Sequence, residues 1–257
     1  MEPVPETATP RERFIAALER RPLEGRVPHF ELVFFLTLEA LGKVHPNHQY
    51  YSQWDQMEEK ERQIHREYYA DTYISTAEKY EHSAIFVHDV PKPEEALRVM
   101  DVIRERTGDR YYLTRHGDPT WSIPGGDRMV EFSYRMMDDP QGMKDDAQRR
   151  VDEALQAAEW YRDHGALDGF TMCADYCFNS GPFLSPAQFE EFVYPYLKQT
   201  IAGYRELGFY VIKHTDGNIM PIIDLLVQAG PHALHSLAPQ GGVDIAEVKR
   251  LYGDRVC

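Results

Sequence analysis

His214 and Asp216 stand two residues apart where the short apolar run Phe209-Tyr210-Val211-Ile212 ends. On an extended segment such residues face the same way, so an imidazole nitrogen and a carboxylate oxygen can enter one cavity. They supply two ligands of a divalent-metal site that needs three or four, or an acid–base pair in which Asp216 orients the imidazole. Upstream, Asp175, Tyr176 and Asn179 offer a carboxylate, a phenol and an amide just after the apolar run Phe170-Thr171-Met172-Cys173. His88-Asp89 follows a third such run, Ser83 to Val87. A carboxylate there can stabilise developing positive charge or hold a cationic substrate group. The plainer reading of all three is polar loop, with Asp216-Gly217 as a tight turn and Asp89 leading into Pro91.

These side chains need strands to aim them. Periodicity predicts a helix over Arg11 to Arg20, a first strand over Pro28 to Phe35, a charged helix over Gln56 to Tyr80 and a second strand over Ser83 to Val87. A helix over Glu94 to Arg106 and a third strand over Arg110 to Arg115 follow. The loop Gly117 to Gly126, rich in Gly and Pro, reads as a surface connection. A long helix lies within Pro140 to Gly165, and Ser185-Pro186 caps another after the fourth strand. The fifth strand is the one ending at His214. Ala233 to Leu237 is a sixth, where His235 reads as a plain strand residue. Asp244 to Leu251 is a helix, and Asp254 to Cys257 starts a seventh strand. Alternating strands and helices mean a parallel sheet. Six or seven such units point to an α/β fold of the (β/α)8 TIM-barrel type, incomplete, because a closed barrel needs eight. The expected organisation is a disordered tail over residues 1–10 and one barrel domain over 11–257.

The net charge of −14 argues against nucleic-acid binding, since no basic stripe is present. No apolar run is long enough to span a bilayer, and the polar, acidic start is no signal peptide. Three cysteines without a secretory framework suit a reducing cytoplasm, and Cys173 and Cys177 read as incidental thiols. The expected location is cytoplasmic.

Beyond these patterns, the chain resembles the uroporphyrinogen decarboxylase superfamily, which contains the haem-pathway decarboxylase and the cobamide-dependent methyltransferases. The likeness runs from Arg11 onwards. It rests on Arg26-Val27-Pro28, Ala84-Ile85-Phe86-Val87-His88-Asp89, the stretch from Leu184-Ser185-Pro186 to Pro195-Tyr196, His214-Thr215-Asp216-Gly217 and Tyr252-Gly253-Asp254-Arg255. The resemblance implies a (β/α)8 barrel with its pocket at the strand C-termini, and a chain cut short before its last strands.

It also divides the chemistry. Asp89 matches the aspartate that grips pyrrole N–H groups in the decarboxylase. The arginines that hold substrate carboxylates there have no counterpart in Phe30-Glu31-Leu32-Val33-Phe34, and Trp121 stands in the loop where a tyrosine is expected. The methyltransferase branch holds zinc with a His-x-Cys pair and a later Cys. Here His214-x-Asp216 keeps the histidine and replaces the first cysteine by an oxygen ligand, a harder site.

The resemblance therefore implies methyl transfer between a corrinoid carrier and a small acceptor. His214 and Asp216 would hold zinc or another divalent metal, Asp89 and Tyr176 would join them in catalysis, and Glu31, His88, Asp175 and Asn179 would contact substrate. A corrinoid protein would be the partner. The alternative is cofactor-free decarboxylation of uroporphyrinogen or a relative. A third, of another class, is a non-catalytic binding barrel whose open sheet edge a homodimer would cover.

Overall fold

Thr9 opens the first helix, α1 (Pro10–Leu18), through a reciprocal capping box with Glu12 and a proline in the first turn. The structure is a computed structural model that describes residues 2–32, 35–43, 53–88 and 92–257. It contains two compact units: Met1–His116 with His164–Asp168, and Gly117–Asp163 with Gly169–Cys257.

In the first unit, the residues expected to form a tail carry regular contacts. Val4 bridges Leu23, and Arg13 donates to the carbonyls of Pro5, Glu24 and Arg26. The strand expected over Pro28 to Phe35 is absent from the described part of that segment. His29 O accepts one backbone bond from Ser83 N, but Phe35 already begins a short helix, α2 (Phe35–Glu39). A single bond does not make a ladder. The charged helix forms as α3 (Glu59–Lys79), followed by β1 (Ala84–Phe86), α4 (Pro93–Thr107) and β2 (Tyr112–His116). β1 and β2 pair in parallel. Asp168 ties this unit together. It takes charged bonds from Arg11 at 2.7 Å and Arg104 at 2.6 Å, and a backbone bond from Leu113 at 2.8 Å.

The second unit begins with α5 (Met129–Asp138) and α6 (Pro140–His164). Next come β3 (Gly169–Cys173) and a two-residue antiparallel hairpin, β4 (Cys177–Phe178) with β5 (Gly181–Pro182). Ser185 caps α7 (Pro186–Phe192) as expected, and a reciprocal bond to Gln188 completes a capping box. The chain breaks at Val193, because Pro195 has no N–H to continue the ladder, and resumes as α8 (Tyr194–Glu206). β6 (Tyr210–His214), α9 (Ile223–Gln228), β7 (Ala233–His235) and α10 (Ile245–Tyr252) complete it. Behind β3, Phe170 stacks on Tyr204 at 4.1 Å and meets Phe209 at 5.0 Å, so three aromatic side chains close the sheet against α8. Burying each contributes about 1.5–3 kcal/mol.

β3, β6 and β7 lie side by side in parallel. Cys257 then donates to His232 O and accepts from Leu234 N, the bonds a further parallel strand makes beside β7. The longer strands of each unit pair in parallel and alternate with helices, an α/β fold of the (β/α)-barrel type with five of the eight strands of a closed barrel among the described residues.

Candidate functional site

The strand register builds the site. Cys173 lies opposite His214, and His214 opposite His235, so three adjacent strands end in one row of side chains. Immediately beyond that row, Asp175 and Asp216 approach each other, with Asp216 N donating to Asp175 Oδ1 at 2.9 Å. His214 Nε2 faces both carboxylates, 3.7 Å from Asp175 and 3.9 Å from Asp216. One ligand atom from each of the three residues lies within 4.8 Å of the others.

The other ring nitrogen of His214 is also engaged. Its Nδ1 lies 2.8 Å from Nδ1 of His235, which requires one N–H and one lone pair. With the lone pair of His214 at Nε2, toward the carboxylates, His214 donates and His235 accepts. This is the arrangement by which a partner group fixes the tautomer of a metal-ligating histidine. Burial lowers the pKa of His214 in spite of the two carboxylates. Burial and then the neighbouring His214 push His235 down to about 4. Both rings are neutral near pH 7 and available as ligand and acceptor.

Asp216 is held from a second side. Ser236, whose φ of 65° places it in the left-handed region, donates its hydroxyl to Asp216. A non-glycine residue in that conformation costs free energy that the surrounding structure must offset. A cavity of about 500 Å3 opens onto Asp216, Asn179, Ser236 and Gln240.

Beneath the carboxylates runs a buried polar frame. Lys213, on the opposite face of β6 from His214, donates to Asp118 at 2.8 Å and to the carbonyls of Ala174 and His214 at 2.9 and 2.7 Å. Asp118 also accepts from Ala174 N and from Thr120. Tyr176 packs over the Lys213 ammonium at 4.3 Å, and its hydroxyl meets Thr120 Oγ1 at 2.6 Å. Its backbone N–H donates to Thr215, so both strand ends are cross-braced.

The expected residues are therefore distributed as follows. Asp175, His214 and Asp216 converge, and Asn179 lines the cavity beside them. Tyr176 belongs to the buried frame. Glu31 and His88 lie in the other unit, where Glu31 accepts from Thr37 and His88 meets the Tyr73 hydroxyl at 3.0 Å. Asp89 lies outside the described residues. Burial pushes the thiols of Cys173 and Cys177 up to about 12, so both are protonated near neutral pH. His235, Ser236, Lys213 and Asp118 escape sequence reasoning. The position of His235 at a strand end, one strand over from His214, was the signal available for it.

One nitrogen and two carboxylate oxygens are a donor set that suits zinc and harder divalent ions alike. Three convergent ligands, each braced by a neighbour, fit such an ion and leave a coordination position open.

Residues 125–257, just over half of the sequence and all of this cluster, match the family model "Uroporphyrinogen decarboxylase (URO-D)". The chain belongs to the uroporphyrinogen decarboxylase family. No curated protein sequence gives a significant match. Among solved structures, the chain is similar to a methyltransferase from Methanosarcina mazei, with a TM-score of 0.64 and 15% identity over 96% of this chain and 81% of that one. At that identity the likeness shows the fold, and it agrees with the family. No helix among the described residues is long and apolar enough to cross a membrane.

Proposed function

We propose that this member of the uroporphyrinogen decarboxylase family transfers a methyl group between a corrinoid carrier and a small acceptor, at a divalent-metal site made by Asp175, His214 and Asp216. The observation that carries the reading is the convergence of these three side chains, with His235 Nδ1 2.8 Å from the other ring nitrogen of His214. Similarity to a protein named as a methyltransferase supports it. When bound, the metal supplies Lewis acidity that lowers the pKa of an acceptor thiol or hydroxyl. His214 presents Nε2, Asp216 and Asp175 bring negative charge, and Ser236 and the Asp216 N–H keep the carboxylates from swinging to solvent. Asn179 contacts the acceptor in the adjoining cavity. A corrinoid protein is the partner this reaction calls for.

The test is metal content by plasma mass spectrometry, with methylcobalamin and 2-mercaptoethanol as donor and acceptor. The expected result is about one divalent ion per chain and metal-dependent loss of methylcobalamin absorbance, both abolished in His214→Ala. A chain that binds no metal at saturating zinc overturns the proposal.

The family match favours a second reading, cofactor-free decarboxylation of uroporphyrinogen or a related substrate, with Asp89 holding the pyrrole nitrogens. Carbon dioxide release that persists in chelator and is lost in Asp89→Asn would establish it instead.

A further inference from the structure

A second cavity, in the unit formed by Gly117–Asp163 and Gly169–Cys257, is left unused by the reading above. It encloses about 340 Å3 between the loop after β2 and helices α5 and α6. Its walls include the rings of Trp121 and Phe132 and the side chains of Arg128, Arg135, Arg150 and Glu131. The two rings meet edge to face at 5.8 Å.

Among the described residues, two of these arginines lack the acidic partner that most arginines of the chain have. With 42 acidic residues against 28 basic ones, carboxylates are plentiful. Arg66, Arg104, Arg135 and Arg149 all take one, at 3.1 Å or closer. Among the described residues, neither Arg128 nor Arg150 has an ion pair, and both line this cavity. Arg150 lies over the Trp121 ring instead, 4.6 Å from its centre. The Trp121 Nε1 donor in the same wall is buried without a hydrogen-bond partner, and leaving such a group unmade costs free energy. Two unpaired guanidinium groups and an orphan N–H thus sit beside an apolar, aromatic wall. On a surface of net charge −14 an anion finds few such places.

We propose that this cavity binds a small carboxylate with a planar apolar body. The carboxylate takes charge-assisted bonds from Arg128 and Arg150, whose planar forks match its geometry. The body lies against Trp121 and Phe132. Ile123, two residues from Trp121, donates its N–H to Asp175 O at 2.8 Å, so the loop that walls the cavity is tied to the backbone of the metal cluster. The proposal itself requires neither metal nor corrinoid.

Isothermal titration of the full chain with benzoate tests it, with inorganic phosphate as the comparison anion. The expected result is saturable binding of one benzoate per chain, weakened about tenfold in Arg128→Gln and in Arg150→Gln, with phosphate weaker than benzoate. Arg128 is exposed, so Arg128→Gln retains the fold, and its thermal unfolding midpoint is the control. No benzoate binding at millimolar concentration overturns the proposal, as does binding unchanged in both variants. Phosphate binding at least as tight as benzoate also overturns it, because the aromatic wall would then contribute nothing.

Discussion

Lys213 Nζ lies 2.8 Å from Asp118 Oδ2 with neither side chain exposed to solvent, one residue before His214. An ion pair so deeply buried is not retained for net stability alone, since desolvation offsets most of its attraction. Its remaining hydrogen bonds explain it. Lys213 reaches the carbonyls of Ala174 and His214, and Asp118 takes the Ala174 N–H, so the pair locks the ends of β3 and β6 on which Asp175 and Asp216 are mounted. Lys213→Met leaves the Asp118 charge buried and unpaired, and a loss of about 3–5 kcal/mol is expected by urea denaturation. Adding Asp118→Leu removes that charge but orphans the N–H groups of Ala174 and Thr120. The double variant should therefore remain well below the parent. Recovery to parental stability would show that the pair braces nothing.

The same pair sets an acid limit. Burial raises the Asp118 pKa, but the Lys213 charge and the bonds from Lys213 and Thr120 outweigh it, and the net shift is below the ordinary 3.8. The unfolded chain then binds this proton more readily than the folded one. The stabilisation is complete above about pH 4 and is lost as pH falls below 3.8 toward the folded value. Unfolding free energy measured from pH 6 down to 2 should fall more steeply for the parent than for Asp118→Asn in that window. Parallel curves would refute the assignment.

His235 makes no direct approach to the carboxylates, yet its loss should reach the metal. His235→Ala removes the acceptor that holds His214 Nδ1–H, freeing the ring to rotate. Metal affinity should drop about 10–100-fold, as for other partners of ligating histidines. His235→Asn, which keeps an acceptor, should recover part of it. Competition with a chromogenic chelator reads both. Equal affinity in parent and His235→Ala would make His235 a mere neighbour.

Much of the C-terminal sheet was legible before any coordinates. β3, β6 and β7 are short apolar runs closed by polar residues, and Ser185-Pro186 marks a helix start without tertiary help. Asp175, His214 and Asp216 were legible for the same reason: each sits at or just beyond a strand end. His235 read as a plain strand residue because its meaning depends on register, which pairs it with a histidine 21 positions away. Lys213 was invisible for a stronger reason. A lysine is exposed by default, and its burial is made tolerable by an aspartate 95 positions upstream, in a loop that read as a surface connection. Helix α5, none of whose residues is buried, was missed although Met129, Phe132 and Met136 recur at helical spacing. The segment from Pro28 failed oppositely: apolar residues suggested a strand, while the described part takes one backbone bond along β1 before a helix begins.

Gly217 follows Asp216 with φ at 84°, and a Cβ there would lie 2.5 Å from the Cys177 carbonyl oxygen. Gly241 packs against it from the other side, where a Cβ would meet Gly217 backbone at 2.4 Å. Gly217→Ala should cost about 1–3 kcal/mol for the left-handed conformation alone, with the backbone clash in addition. Because the displaced backbone carries Asp216, metal affinity should fall with stability. Gly230→Ala, also at positive φ but with open space around it, should lose stability without losing metal. Similar metal affinity in both variants would separate the turn from the site.

Asp216 is the position at which this chain departs from the His-x-Cys pair of the methyltransferases it resembles. Asp216→Cys restores a soft ligand at the end of β6, beside two residues that need not move. It also deletes the carboxylate that Ser236 holds, so the new thiol is less firmly placed. Thiolate favours zinc over the hard cations, whereas the parental nitrogen and two oxygens discriminate less. The variant should therefore raise the ratio of zinc to manganese affinity by at least tenfold, even if zinc itself binds no tighter. Titrating each ion against the same competing chelator gives the ratio directly. An unchanged ratio would mean that residue 216 does not touch the metal, and the cluster would then reduce to His214 and Asp175.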